Sequence, residues 1–174
     1  YHSRIHPSDI SFLYDSEIRA YEYLSAIRNP SKKDYKLVYD YRVRAKNGEY
    51  IRFLHQMALF ELDRRYNSWI VMVISDVLSI YPDDQAPRRY LLDTRTNLVM
   101  LFNEESGIRR YLLTPAEQRV LRLVAQGFDS GQIGRLMKTS VNTVNNHRQH
   151  ILEKTATKNT AQAIMYLHCI GVLY

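Results

Sequence analysis

Apolar residues recur with two different periods in two different parts of this chain, and one kind of layer cannot satisfy both. From Tyr35 the period is two: Tyr35, Leu37, Tyr39, Tyr41 and Val43 alternate with Lys36, Val38, Asp40, Arg42 and Arg44, the pattern of a half-buried strand. Asn47-Gly48 follows, a dipeptide that readily takes positive backbone angles in a tight hairpin. Residues 50–62 read as a longer strand with apolar side chains on both faces. After a polar turn at 64–68, the continuous apolar run 69–74 predicts a covered central strand. Ahead of this meander, His6-Pro7-Ser8-Asp9 opens a helix in which Ile10, Leu13, Tyr14, Ile18, Tyr21 and Leu24 fall at helical spacing. Asn29-Pro30-Ser31 stops it.

Beyond residue 112 the period is helical throughout. Thr114-Pro115-Ala116-Glu117 is a capping box, with the hydroxyl over the first turn and the carboxylate reaching back. The stripe Val120, Leu121, Val124 ends at Gly127. Asp129 opens a short second helix expected to bury Ile133, Leu136 and Met137, and Ser140 caps a third over about 141–154. Asn159-Thr160-Ala161-Gln162 starts a fourth. Between the halves, 81–89 reads as a linker and 90–93 with 98–102 as a short hairpin that either extends the sheet or braces the connection. Residues 103–107 read as a break. The expected division is 1–80, a linker with hairpin over 81–111, and 112–174, in an α+β chain.

Composition narrows the function. The 174 residues carry a net charge of +6, and the surplus is uneven: 17 basic against 15 acidic residues before position 111, then 7 against 3. A basic excess in one small segment is the footprint of a polyanion binder. One cysteine, Cys169, excludes an intrachain disulfide and multi-cysteine metal sites; it fits a reducing cytoplasm and is expected to pack. No apolar run is long enough for a transmembrane helix, so no membrane partner is expected. A Gly-rich phosphate loop and a metal-binding histidine cluster are both missing, and no enzyme is predicted.

The second and third helices of the C-terminal part, joined near Lys138-Thr139-Ser140, form a helix-turn-helix. A helix of ~10–12 Å diameter fits a major groove ~12 Å wide. On the third helix Asn142, Asn145, Asn146 and Gln149 fall at i, i+3, i+4 and i+7 and share one face. Side-chain amides offer a donor and an acceptor together, matching the N6 and N7 edge of adenine. Arg148, Lys154 and Lys158 flank that face and are expected to neutralise phosphates. The plainer reading is a solvated polar face. Asparagine is a mediocre helix former, however, and three within five positions weaken the helix without local benefit.

Residues 113–172, LTPAEQRVLRLVAQGFDSGQIGRLMKTSVNTVNNHRQHILEKTATKNTAQAIMYLHCIGV, strongly resemble the LuxR-type helix-turn-helix of bacterial transcription regulators. The shared landmarks are Leu113-Thr114, Glu117, Val120-Leu121, Gly127, Ile133, Thr143-Val144, His147, Ile151-Leu152 and Lys154. The resemblance implies a four-helix bundle binding double-stranded DNA as a homodimer. It places Asn145, Asn146 and Gln149 at the bases and Thr143, His147 and Lys154 near the backbone. It also implies that the fourth helix, with its stripe Ile164, Leu167 and Ile170, pairs the subunits. Gly131-Gln132-Ile133-Gly134 departs from the family pattern, in which a basic residue, glutamate, isoleucine and alanine are usual.

The N-terminal part resembles the C-terminal part of a PAS domain, on the His6-Pro7-Ser8-Asp9 opening, residues 41–50 and the strand ending Ser75-Asp76. A complete PAS fold has further elements ahead of this part, so the sequence reads as starting inside a longer parent. No cofactor is predicted, and a PAS ligand of unknown identity stays open. Haem would need an axial ligand such as His2, His6 or His55, for which capping or surface roles are the ordinary outcome. The expected function is a one-component sensor-regulator of transcription acting in the cytoplasm. The alternative is a sigma-factor-like interaction module dependent on RNA polymerase.

Overall fold

The computed structural model describes residues 2–78, 86–100 and 109–173, and the chain divides into two compact units, Tyr1–Arg110 and Tyr111–Tyr174. The expected linker at 81–85 and the break at 103–107 lie outside the described residues.

Helix α1 (Pro7–Ala26) packs on a sheet in which β1 (Tyr35–Arg44), β2 (Tyr50–Leu62), β3 (Ser68–Val77), β4 (Arg89–Asp93) and β5 (Leu98–Met100) pair antiparallel, and whose last strand is β6 (Arg109–Tyr111). The order is β3-β2-β1-β4-β5-β6. Proline sets the first turn of α1, and the His6 ring nitrogen accepts the Ser8 amide at 3.2 Å, so this histidine caps the helix. The β1–β2 hairpin closes through Ala45 and Glu49, with Gly48 alone taking a positive φ of 90°. Asn47 does not share that conformation. The turn is thus a three-residue loop with a glycine bulge, not the two-residue turn with both positions left-handed.

Central β1 supplies the core. Leu37, Tyr39, Tyr41 and Val43 meet Leu13 and Ala20 of α1, together with Ile5 and Leu91. The Tyr39 hydroxyl donates to Glu17 at 2.7 Å, satisfying its one polar atom. Val38 and Asp40 are buried too, so β1 is not the half-exposed strand that its alternation suggests. Asp40 reaches this depth beside the guanidinium groups of Arg52 and Arg88. Burial pushes its carboxyl above the ordinary range, against the pull of the two arginines.

Three sequence expectations change here. The apolar run of β3 is an edge strand exposed along all its residues, not a covered central one; the covered place belongs to β1. The buried face of α1 is Asp9, Leu13, Ser16 and Ala20, while Tyr14, Ile18 and Tyr21 are exposed. The polar members Asp9 and Ser16 disguise the true stripe: Asp9 is matched by Arg42, and the Ser16 hydroxyl donates to the Phe12 carbonyl at 2.6 Å. The linker expected over 81–89 gives way to β4 at Arg89, and of the two placements open to the following hairpin the sheet is the one taken, with Tyr35–Tyr39 pairing Asp93–Arg89.

The second unit holds α2 (Pro115–Ala125), α3 (Ser130–Met137), α4 (Val141–Thr155) and α5 (Thr160–Cys169). Val120, Leu121, Ile133, Val144, Ile151, Leu167 and Ile170 have no exposed surface and form its core. Each such side chain contributes about 1.5–3 kcal/mol of transfer free energy. Leu136, expected inside, is exposed. No helix among the described residues is long and apolar enough to cross a membrane.

Candidate nucleic-acid interface

The helix-turn-helix is built by caps. Asp129 and Gln132 exchange side-chain and backbone hydrogen bonds at 2.7 and 2.9 Å at the start of α3. Lys138 ends that helix in the left-handed conformation, φ 53°, and the Thr139 amide returns to the Gly134 carbonyl at 2.9 Å. Ser140 then caps α4, accepting the Thr143 amide at 3.0 Å. The turn is tight enough that a Cβ on Gly134 would stand 3.0 Å from the Thr139 carbonyl oxygen and 3.6 Å from the Val141 nitrogen. Glycine here lets α3 close against the start of α4, which explains one departure from the family pattern. The nearest atom to a Cβ on Gly131 is the Asp129 carboxylate, and no packing need accounts for that glycine.

Helix α4, fifteen residues long, packs against α2, α3 and α5 through an inner face of Val144, Ile151 and Thr155. Its outer face carries Asn142, Asn145, Asn146 and Gln149, all exposed, as the spacing predicts. Glu153 extends the same face and accepts from the Gln149 amide at 3.0 Å, so Gln149 must exchange this contact for any base edge.

The expected phosphate contacts divide. Lys158 is exposed. The Thr143 hydroxyl pairs with that of Ser140 at 2.8 Å, placing it at the amino end of α4. Arg148 is turned into the bundle, where its guanidinium donates to Ser130 and Thr160, both at 3.3 Å, joining α4 to the starts of α3 and α5. Lys154 donates to both carboxylate oxygens of Glu117 at 2.9 and 2.7 Å. These two cations are tied to the protein's own oxygens, so a phosphate has to draw each away from a contact made within the bundle. Both partners lie more than ten positions away in sequence, beyond the reach of helical spacing. His147 is half-buried beside Glu117 and His150.

Burial works to raise the Glu117 carboxyl, but the bonds and charge of Lys154 and the bonds from Thr114 together outweigh it and hold the group below its ordinary range. The carboxylate therefore serves twice, as half of the α2 capping box and as anchor for α4.

Cations missed by the sequence reading sit on the turn. Arg135 and Lys138 are exposed and line an open groove of about 520 Å³ with Thr139, Ser140 and Val141, against the amino end of α4. Two basic residues within five positions of an N-cap serine were the available signal. Of the expected dimerisation stripe, Leu167 and Ile170 are fully buried in the bundle and Ile164 is half-buried. The outer positions of α5 are Ala161, Met165, His168 and Cys169, so the cysteine is exposed rather than packed.

Residues 111–167 match the family model of bacterial regulatory proteins, luxR family. Among curated proteins, the nitrate/nitrite response regulator protein NarL of Escherichia coli K12 is 36% identical over 56 residues, 32% of this chain and 26% of NarL. The chain thus covers about a quarter of that relative. Among solved structures, transcription factor GerE is 31% identical over 37% of this chain and 97% of GerE, with a TM-score of 0.36. A Vibrio cholerae VqmA dimer is 14% identical over 82% of this chain and 57% of VqmA, TM-score 0.34. The family match falls on the helix-turn-helix unit: residues 111–167 are a DNA-binding domain of the luxR family of bacterial regulatory proteins, a family of transcription factors and not of enzymes.

Proposed function

We propose that the chain is a sequence-specific transcription regulator that reads double-stranded DNA through the outer face of α4. The observation that carries this reading is the exposure of Asn142, Asn145, Asn146 and Gln149 on one side of a helix whose other side is locked into the bundle. Lys158, Arg135 and Lys138 supply the phosphate contacts, with Thr143 at the amino end of α4. Replacing Asn145, Asn146 and Gln149 together by alanine removes the preference for a cognate over a random duplex, by about 1–3 kcal/mol per lost bidentate contact. Replacing Arg135 and Lys138 weakens both duplexes alike and flattens the salt dependence. Competition binding at several salt concentrations reads both, and a triple alanine protein that still prefers its cognate site refutes the assignment.

The regulator acts as a homodimer in the cytoplasm, its subunits meeting on the outer positions of α5. The first unit is a PAS-like sensor segment. Its helix-on-sheet arrangement supports this, as does a cavity of about 160 Å³ lined by Ala20, Leu24, Leu37, Met57 and Lys32 among others. The luxR match does not favour the polymerase-dependent alternative.

A further inference from the structure

Glu117, His147 and His150 bring three metal-ligating side chains together on the inner flank of α4. One oxygen or ring nitrogen from each lies within 4.8 Å of the others. His147 and His150 stand one helical turn apart on the same face of α4, and Glu117 comes from the first turn of α2. The carboxylate is fixed by its capping box and is almost wholly buried, and His150 Nδ1 is 3.9 Å from Glu117 Oε1. Two imidazoles and one carboxylate are the borderline donor set that zinc accepts in sites leaving a fourth position open. Ligand atoms around zinc sit roughly 3.3 Å apart when each bond is about 2.0–2.1 Å. Closure therefore asks for a movement of no more than about 1.5 Å, and the His150 ring that would share in it is exposed.

One group opposes a cation here. The Lys154 ammonium holds both Glu117 oxygens, and its side chain is partly exposed, at 36%. We propose that Glu117, His147 and His150 form a site for a zinc-class divalent cation that competes with the Lys154 ammonium for the Glu117 carboxylate. Binding turns Lys154 out toward solvent and leaves the α2–α4 junction held by metal instead of by an ion pair. Glu117 lies 30 and 33 positions from the two histidines, so sequence spacing shows the histidine pair but not its carboxylate partner.

The test uses the full chain, stripped of metal and titrated with zinc chloride by calorimetry, then with cobalt(II) chloride by visible absorption, in the absence of DNA. One zinc per chain and the visible bands of low-coordinate cobalt are expected. His150→Ala, at an exposed position, weakens binding by about 10–100-fold. Lys154→Met tightens it by up to about fivefold, the equivalent of losing a partly exposed ion pair. His168→Ala combined with Cys169→Ser leaves the affinity unchanged. Far-UV circular dichroism confirms that each variant keeps its helices; if Lys154→Met unfolds, Lys154→Gln replaces it. An H150A protein that binds zinc like the parent overturns the site, as does loss of binding in the His168/Cys169 variant. Unchanged or weaker binding in K154M overturns the competition. Because no readout involves DNA, failure here leaves the groove-reading assignment of α4 to its own experiment.

Discussion

Asp9 shows what one side chain does in this fold. It lies in the first turn of α1 and is almost wholly buried, accepting from Arg42 through the guanidinium at 2.6 and 2.9 Å and through the backbone amide at 2.9 Å. Burial opposes its charge, but those three bonds and the Arg42 charge together carry the carboxyl below its ordinary value of 3.8. A carboxyl depressed in the folded state adds stability that is fully present above the unfolded value and is lost as pH falls through the folded one. Asp9→Asn therefore costs about 3–5 kcal/mol at neutral pH, since it leaves Arg42 without its charge partner. The deficit shrinks below pH 3.8, where the parent loses the same interaction, and thermal melts across pH 2–7 check both statements. Sequence showed Asp9 as part of a helix start and nothing more. Its partner lies 33 positions away on a strand, and a pairing made only by folding leaves no local periodicity. The same blindness hid the partners of Lys154 and Arg148, each of which was legible as a cation but not as an occupied one.

Helices were more legible than strands because their boundary signals are local. Thr114, Asp129, Ser140 and Asn159 each accept a backbone amide at the start of a helix, as their sequence positions imply. The candidate base-reading face of α4 followed from spacing alone, since an exposed face needs no partner to be recognised. Strand β3 did not, because a run without alternation says that both faces are apolar and leaves open what lies beside them. Helix endings carried less information as well. Ala156 terminates α4 in the left-handed region, φ 51°, where a Cβ costs roughly 1–2 kcal/mol and glycine avoids the strain. Ala156→Gly is expected to stabilise the second unit by about 1 kcal/mol, raising its melting temperature by roughly 4–8 °C in a unit of this size. Circular dichroism at 222 nm during heating measures the shift.

At the scale of the whole chain, each unit encloses its own buried core, around Tyr39 and Tyr41 in one and around Leu121, Ile151 and Leu167 in the other. A unit with its own core has its own cooperative transition. Scanning calorimetry is expected to need two components, with Asp9→Asn moving one and Ala156→Gly moving the other. A single peak that Asp9→Asn lowers and Ala156→Gly raises would contradict that division. The change of hydrophobic period announced the two units. The second unit begins at Tyr111, beside the expected 112, and the residues read as a connecting hairpin lie in the sheet beside β1.

Strand β3 carries one more implication. Its outer edge presents peptide donors and acceptors in extended form, flanked by Trp69, Val71 and Val73 on one side and by Ile70, Met72 and Ile74 on the other. Water solvates such a ribbon poorly, and any second extended segment with oily side chains is a better neighbour for it than solvent. Association between copies is the expected outcome as concentration rises, and a lysine introduced midway along that margin is expected to reduce it, as light scattering would show.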